Sequence, residues 1–169
     1  MVREKEAKIA SLAVSAIIII IYLVCSDVAR FGICAGAGVG QRVVYHFFHS
    51  SIFHALLNAW CLLSVVFVFD ISLSLLFTAF IIASTYPADS LFHLLHLSSL
   101  NVPTVGLSGV CYALMGMMVY RVQRKMYYNG WLAFYIALGF LFPNTNGWIH
   151  LYCYAVGILM GYVNKYVKW

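Results

Sequence analysis

The chain has 169 residues, of which 64% are hydrophobic and only 9% charged, against roughly 25% charged in an ordinary soluble domain. That balance excludes a soluble globular protein and predicts an integral membrane protein; at about 20 residues per spanning helix the length holds about six spans in a single domain over residues 1–169. The formal charge of +5 does not point to nucleic acid, because the Lys and Arg residues stand at the ends of apolar runs, where they orient helices in a lipid bilayer.

Arg3, Lys5 and Lys8 precede the first apolar run, and span 1 is predicted over about residues 9–25. The run ends Leu-Val-Cys-Ser-Asp-Val, without a small-x-small cleavage pattern, so it reads as a retained helix and not a signal peptide. The connection from Asp27 to Arg42 carries Gly32, Gly36, Gly38 and Gly40 but no GKS/T ending, so it is no phosphate loop. Span 2, about 44–69, places His46, His49, His54 and Asn58 in an apolar helix, where polar groups are expensive and usually functional. Asp70 marks a tight turn into span 3, about 71–86, which Pro87 ends. The connection from Ala88 to Thr104 holds Asp89, His93 and His96 among Leu91, Phe92, Leu94 and Leu95, an interfacial pattern with the two histidines facing water.

Span 4, about 108–120, opens at Ser108 and closes at the basic turn of Arg121, Arg124 and Lys125. Span 5, about 127–142, is terminated by Pro143-Asn144. Span 6, about 147–164, begins near Gly147, includes His150, passes through the GxxxG pair Gly157 and Gly161 that brings membrane helices close, and ends at Lys165 and Lys168. Eight of the ten Lys and Arg residues fall at the N-terminus, the turn between spans 4 and 5 and the C-terminus, which places both termini in the cytoplasm. The five cysteines, Cys25, Cys34, Cys61, Cys111 and Cys153, form no CxxC pair, so neither a disulfide framework nor a metal or other cofactor is expected.

The run from Val105 to Tyr120 organises the rest. A serine opening such a helix is either an N-cap or a hydroxyl set beside unpaired backbone N–H groups, where negative charge on a reacting oxygen is stabilised. Counting 1.5 Å per residue from the cytoplasmic end of each span puts Ser108 about 20 Å up, His150 about 22 Å, and Asn58 and His54 about 18 and 24 Å. The four share one layer, roughly 10 Å below the outer face of a core about 30 Å thick. A water-filled cavity reaches that depth, and because span 4 is short the loop before Ser108 must dip into the membrane beside it. The predicted fold is therefore an all-α membrane protein, a six-transmembrane-helix bundle with a buried hydrophilic cavity. Ser108 and His150 form a nucleophile and a general base, while His54 and Asn58, four apart on one face, can donate to an oxyanion together with the Ser108 amide. Asp27, Asp70 and Asp89 lie at helix ends or in connections, which leaves a dyad without an acidic third member. Val110 excludes the GxSxG elbow of soluble hydrolases.

From about Arg42 to Tyr162 the chain resembles the rhomboid intramembrane serine proteases. Gly106-Leu107-Ser108-Gly109-Val110, followed by Tyr112-Ala113-Leu114-Met115-Gly116, is similar to the GxSG helix of that family. His49, His54 and Asn58 resemble its second-span motif, and Asn146-Gly147 with His150 its last span. The resemblance implies a rhomboid-like bundle and a serine endopeptidase cutting single-pass transmembrane substrates near the extracytoplasmic surface. It implies Ser108 as nucleophile, His150 as base, His54, Asn58 and the Ser108 N–H as oxyanion donors, Tyr112 packed beside His150, and Gly106, Gly109 and His49 in support. Two departures stand out: Cys153 takes the place of the usual glycine three residues after the histidine, and the first outer connection is short and lacks the Trp-Arg pair of bacterial members. The competing classes are a rhomboid-like pseudoprotease that binds membrane helices without cutting them, and a haem or metal carrier using His54 or His49 with His150.

Overall fold

The computed structural model describes residues 2–96, 102–142 and 145–167. Among the described residues there is no strand, only an isolated antiparallel bridge between Ile33 and Thr104, and the helices are α1 (Val2–Val24), α2 (Val39–Val44), α3 (Ile52–Val68), α4 (Leu73–Ser84), α5 (Ala88–Leu95), α6 (Ser108–Met118), α7 (Lys125–Leu141) and α8 (Gly147–Val167). The segments Glu4–Val24 and Leu73–Leu95 are long and apolar enough to cross a membrane by themselves, and a third crossing is made if Val39–Phe47 and Ile52–Val68 are taken together. Apolar side chains such as Phe53, Trp60, Phe77 and Phe134 are exposed around the bundle, the surface that suits a hydrocarbon surround.

The second expected span departs from a single helix over 44–69: its two parts meet at 88°. The break lies at Ser50-Ser51, where Ser51 takes an extended backbone and its hydroxyl accepts the His54 N–H at 3.1 Å, capping α3. A serine that satisfies an orphan N–H starts a helix afresh even inside an apolar run. His46 and His49 consequently lie before α3, on the turn Tyr45–Phe47 and just after it. The third span starts at Leu73, because Ser72 accepts the Leu75 N–H, and Asp70 makes the tight turn in a left-handed conformation (φ 46°). The terminator Pro143-Asn144, Lys168 and residues 97–101 of the outer connection lie outside the described residues.

The eleven-residue α6 stands at the centre, packed most closely on α8 and also on α4 and α3. Glycine makes the α6–α8 contact possible: a Cβ on Gly157 would collide with the Ala113 carbonyl oxygen, one on Gly161 with that of Met117, and one on Gly116 with that of Tyr154. Leu107, Leu114, Met118, Ile149 and Cys153 fill the shared core. On the other side α1 packs against α3 and α4, and Lys8 Nζ bonds the Asp70 carboxylate at 2.6 Å. That hydrogen bond, with the lysine charge, holds the Asp70 carboxyl below its ordinary value of 3.8. At the opposite end Arg42 donates to the carbonyls of Ala37 (3.2 Å) and Tyr86 (2.7 Å) and pairs with Asp89, which also accepts the Gly36 N–H.

Candidate active site

Leu107, not Ser108, occupies the N-cap of α6, and Ser108 is the first helical residue. Its hydroxyl is thereby turned away from capping, and Oγ lies 2.9 Å from His150 Nε2. His150 sits in the first turn of α8, which Asn146 starts by accepting the N–H groups of Trp148 (3.1 Å) and Ile149 (3.3 Å) through Oδ1. Asn146 Nδ2 donates to Thr104 Oγ1 at 3.0 Å, so the beginning of α8 is fastened to the segment that leads into Ser108. The imidazole stacks on Tyr112, with ring centres 4.4 Å apart and planes 27° from parallel. Tyr112 follows Ser108 by four residues and shares its helix face. On the far side a Cβ at Gly139 of α7 would lie 3.1 Å from His150 Nδ1, so a larger residue there would press on the ring.

Gly106 has φ +127°, a conformation that side chains rarely allow, and its N–H donates to the Tyr45 carbonyl at 3.0 Å. A Cβ there would lie 2.8 Å from His54 Nε2 and 3.4 Å from Asn58 Nδ2, so both polar groups face the backbone just ahead of Ser108. Asn58 Nδ2 is buried and has no hydrogen-bond partner. Behind them His49 Nε2 accepts the Leu107 N–H at 3.3 Å, which puts the proton of a neutral ring on Nδ1, and the His49 and His54 rings meet edge to face at 4.9 Å. Ser50 Oγ lies 3.3 Å from His54 Nδ1. Gly109 keeps α6 close to its neighbours: a Cβ there would sit 3.3 Å from Cys153 Sγ and 3.3 Å from Ala83 Cβ. The sulfur of Cys153 thus fits against the glycine on α6.

Of the polar residues that the sequence put in one layer, the structure brings together Ser108, His150, His54 and Asn58, with His49 behind them. It leaves His46 apart, 3.0 Å from Ser84 Oγ and packed between the rings of Tyr45 and Phe80, and it leaves His93 and His96 exposed on α5 and at its end. Asp70 and Asp89 are engaged with Lys8 and Arg42, away from the imidazole. Among the described residues no group of three or more His, Cys, Asp or Glu is placed to hold a metal ion. Sequence reasoning passed over Tyr45, whose part is played through its carbonyl, Gly139, which acts by lacking a side chain, and Thr104, whose hydroxyl meets an Asn146 far along the chain; residue type signals none of these.

A hydroxyl against an imidazole, beside unengaged amide donors, can attack a carbonyl and stabilise the oxyanion that results. The family profile of the Rhomboid domain matches residues 37–166. The chain belongs to the rhomboid family. No curated protein matches the chain. In this rhomboid the matched stretch takes in α2 through nearly all of α8 and so contains every residue of the candidate site, with α1 preceding it. It is a membrane protein of a family of intramembrane serine proteases that act on transmembrane substrates within the bilayer.

Proposed function

We propose that this rhomboid is an intramembrane serine endopeptidase working through a Ser108–His150 dyad on single-pass transmembrane proteins. The observation that carries the reading is the 2.9 Å approach of Ser108 Oγ to His150 Nε2. Ser108 Oγ attacks the scissile carbonyl while His150 Nε2 takes its proton, and the imidazolium returns that proton to the leaving amine. The resulting oxyanion is met by the Ser108 N–H, free of an intrahelical partner at the first turn, by Asn58 Nδ2 and by His54 Nε2–H. For His54 to donate there, its Nδ1 must accept, and the Ser50 hydroxyl beside it is the donor. Water then repeats the cycle on the acyl-enzyme with the same imidazole as base. Tyr112 supports the ring in place of a carboxylate.

The same proposal includes six spans (α1, α3, α4, α6, α7 and α8), both termini in the cytoplasm and a water-reached cavity opening over Ser108 to the outside. The Lys and Arg distribution supports the orientation, and the length of α6, about 16 Å, supports a site reached from one face. Labelling of the purified protein with a fluorophosphonate serine probe is the test. Labelling that maps to Ser108 and disappears in His150→Ala supports the dyad. A chain that retains single-span helices yet leaves Ser108 unlabelled is a pseudoprotease, and a haem band in the absorbance spectrum would return the histidines to ligand duty.

A further inference from the structure

Along the outer face of α7 runs a slot of about 300 Å³, with Arg124 at its mouth and Tyr127, Trp131, Leu132 and Tyr135 along its walls. Tyr127, Trp131 and Tyr135 follow at four-residue steps on one helix face, and the twelve residues from Arg124 to Tyr135 extend the slot about 16 Å from the basic turn toward the middle of the bundle. The walls are aromatic: Trp131 meets Tyr127 edge to face at 6.2 Å and stacks on Tyr135 at 6.0 Å. Tyr128 turns its hydroxyl away from the slot to the Met115 carbonyl, 2.9 Å distant, so the polar end of that ring is taken up inside the bundle. Trp131 and Tyr135 are about half exposed, at 46% and 52%. Beside Arg124 lie Lys125, over the Tyr120 ring, and the exposed Arg121.

We infer that this slot binds one anionic phospholipid, its phosphate at Arg124 and one acyl chain along Trp131. The occupant must be negative at one end and apolar over about 16 Å, and a phospholipid with net negative charge has that shape. Arg124 selects the headgroup, since one Lys or Arg near a membrane surface adds about 1 kcal/mol of attraction to anionic lipid, while Arg121 is turned to the Phe69 carbonyl at 3.1 Å and Lys125 to the Tyr120 ring. The inference rests on α7 lying in the bilayer, as proposed above.

Trp131 is its own reporter once Trp60, Trp148 and Trp169 are replaced by phenylalanine in the full chain. The protein is reconstituted into vesicles containing phosphatidylglycerol or phosphatidylcholine with brominated acyl chains, which quench a tryptophan in contact with them. Phosphatidylglycerol is expected to quench Trp131 at about one fifth of the mole fraction that phosphatidylcholine needs, and Arg124→Gln to remove that preference while quenching by phosphatidylcholine persists. In the unsubstituted arginine background, raising the salt should erode the same preference, a check that needs no folded variant. Equal quenching by the two lipids, or a preference that survives both Arg124→Gln and salt, overturns the inference and leaves the span assignment standing. Quenching by neither lipid overturns the span assignment of α7 and the inference with it. Relief of quenching by an added single-span peptide would give the slot to a helix and overturn it also.

Discussion

Ser108 and His150 are 42 residues apart in the chain and 2.9 Å apart in space, and the neighbouring donors differ in how much they should matter. Ser108→Ala is expected to abolish both probe labelling and cleavage, and His150→Ala to be nearly as severe, because a neutral serine is a poor nucleophile without a proton acceptor. Asn58→Ala should fold and lose about 10- to 1,000-fold in turnover, the effect of deleting one oxyanion donor, with His54→Ala similar or milder. His93→Ala and His96→Ala should cleave at the wild-type rate. Turnover of a reporter substrate with one membrane span measures all of these. Counting residues from the cytoplasmic ends of the runs was enough to put Ser108, His150, His54 and Asn58 at one depth. It was not enough to place His46, which the bend at Ser51 leaves apart against Ser84, nor to find Tyr45, which acts on Gly106 through its carbonyl.

At the scale of elements, α6 and α8 are fixed by glycines and α7 is held unevenly. Gly157→Ala should destabilise the protein by about 1–3 kcal/mol, the cost of forcing a methyl into a packed contact, and an unfolding titration in mixed micelles reads it directly. The sequence shows that contact, since a four-residue glycine spacing on an apolar helix has few other uses. Nearer its start α7 is tied by Tyr128 to the Met115 carbonyl and by Asn129, which accepts from Tyr154 at 2.6 Å. Nearer its end, Phe140 rests edge-on against Trp148 at 5.1 Å and Phe142 is exposed. Substrate access is therefore proposed beside the far end of α7, and Phe142→Ala should raise cleavage of a membrane-embedded substrate while leaving the probe reaction unchanged. Unchanged or lower turnover in a folded protein would rule this route out. The break between α2 and α3 was the element least legible in advance: polar residues inside an apolar run read as functional, and only the Ser50-Ser51 pair among them marks a new helix start.

Over the whole molecule, charge sits at the two ends and acts on stability and orientation more than on chemistry. Because the Asp70 carboxyl is depressed by Lys8, the pair's contribution is fully present above the ordinary carboxylate range and is lost as the pH falls through the depressed value. Melting temperatures of wild type and Asp70→Asn should thus differ by a constant amount above about pH 5 and converge in stronger acid. A cysteine introduced at Asp89 should react with an impermeant thiol reagent from the outside alone; labelling from the cytoplasmic side alone would reverse the proposed topology. The helical class and the apolar runs were legible because the hydrocarbon demands them of composition itself, whereas the way distant segments are fastened together was not. Thr104 is the clearest case. Its backbone exchanges both hydrogen bonds with Ile33 at 2.9 Å and its hydroxyl takes one from Asn146, so three stretches of chain are riveted at a single residue two positions before Gly106. A pull on the first connection therefore travels to nucleophile and base together, and Ile33→Pro, which removes one rivet without touching either, should slow labelling of Ser108 from a distance.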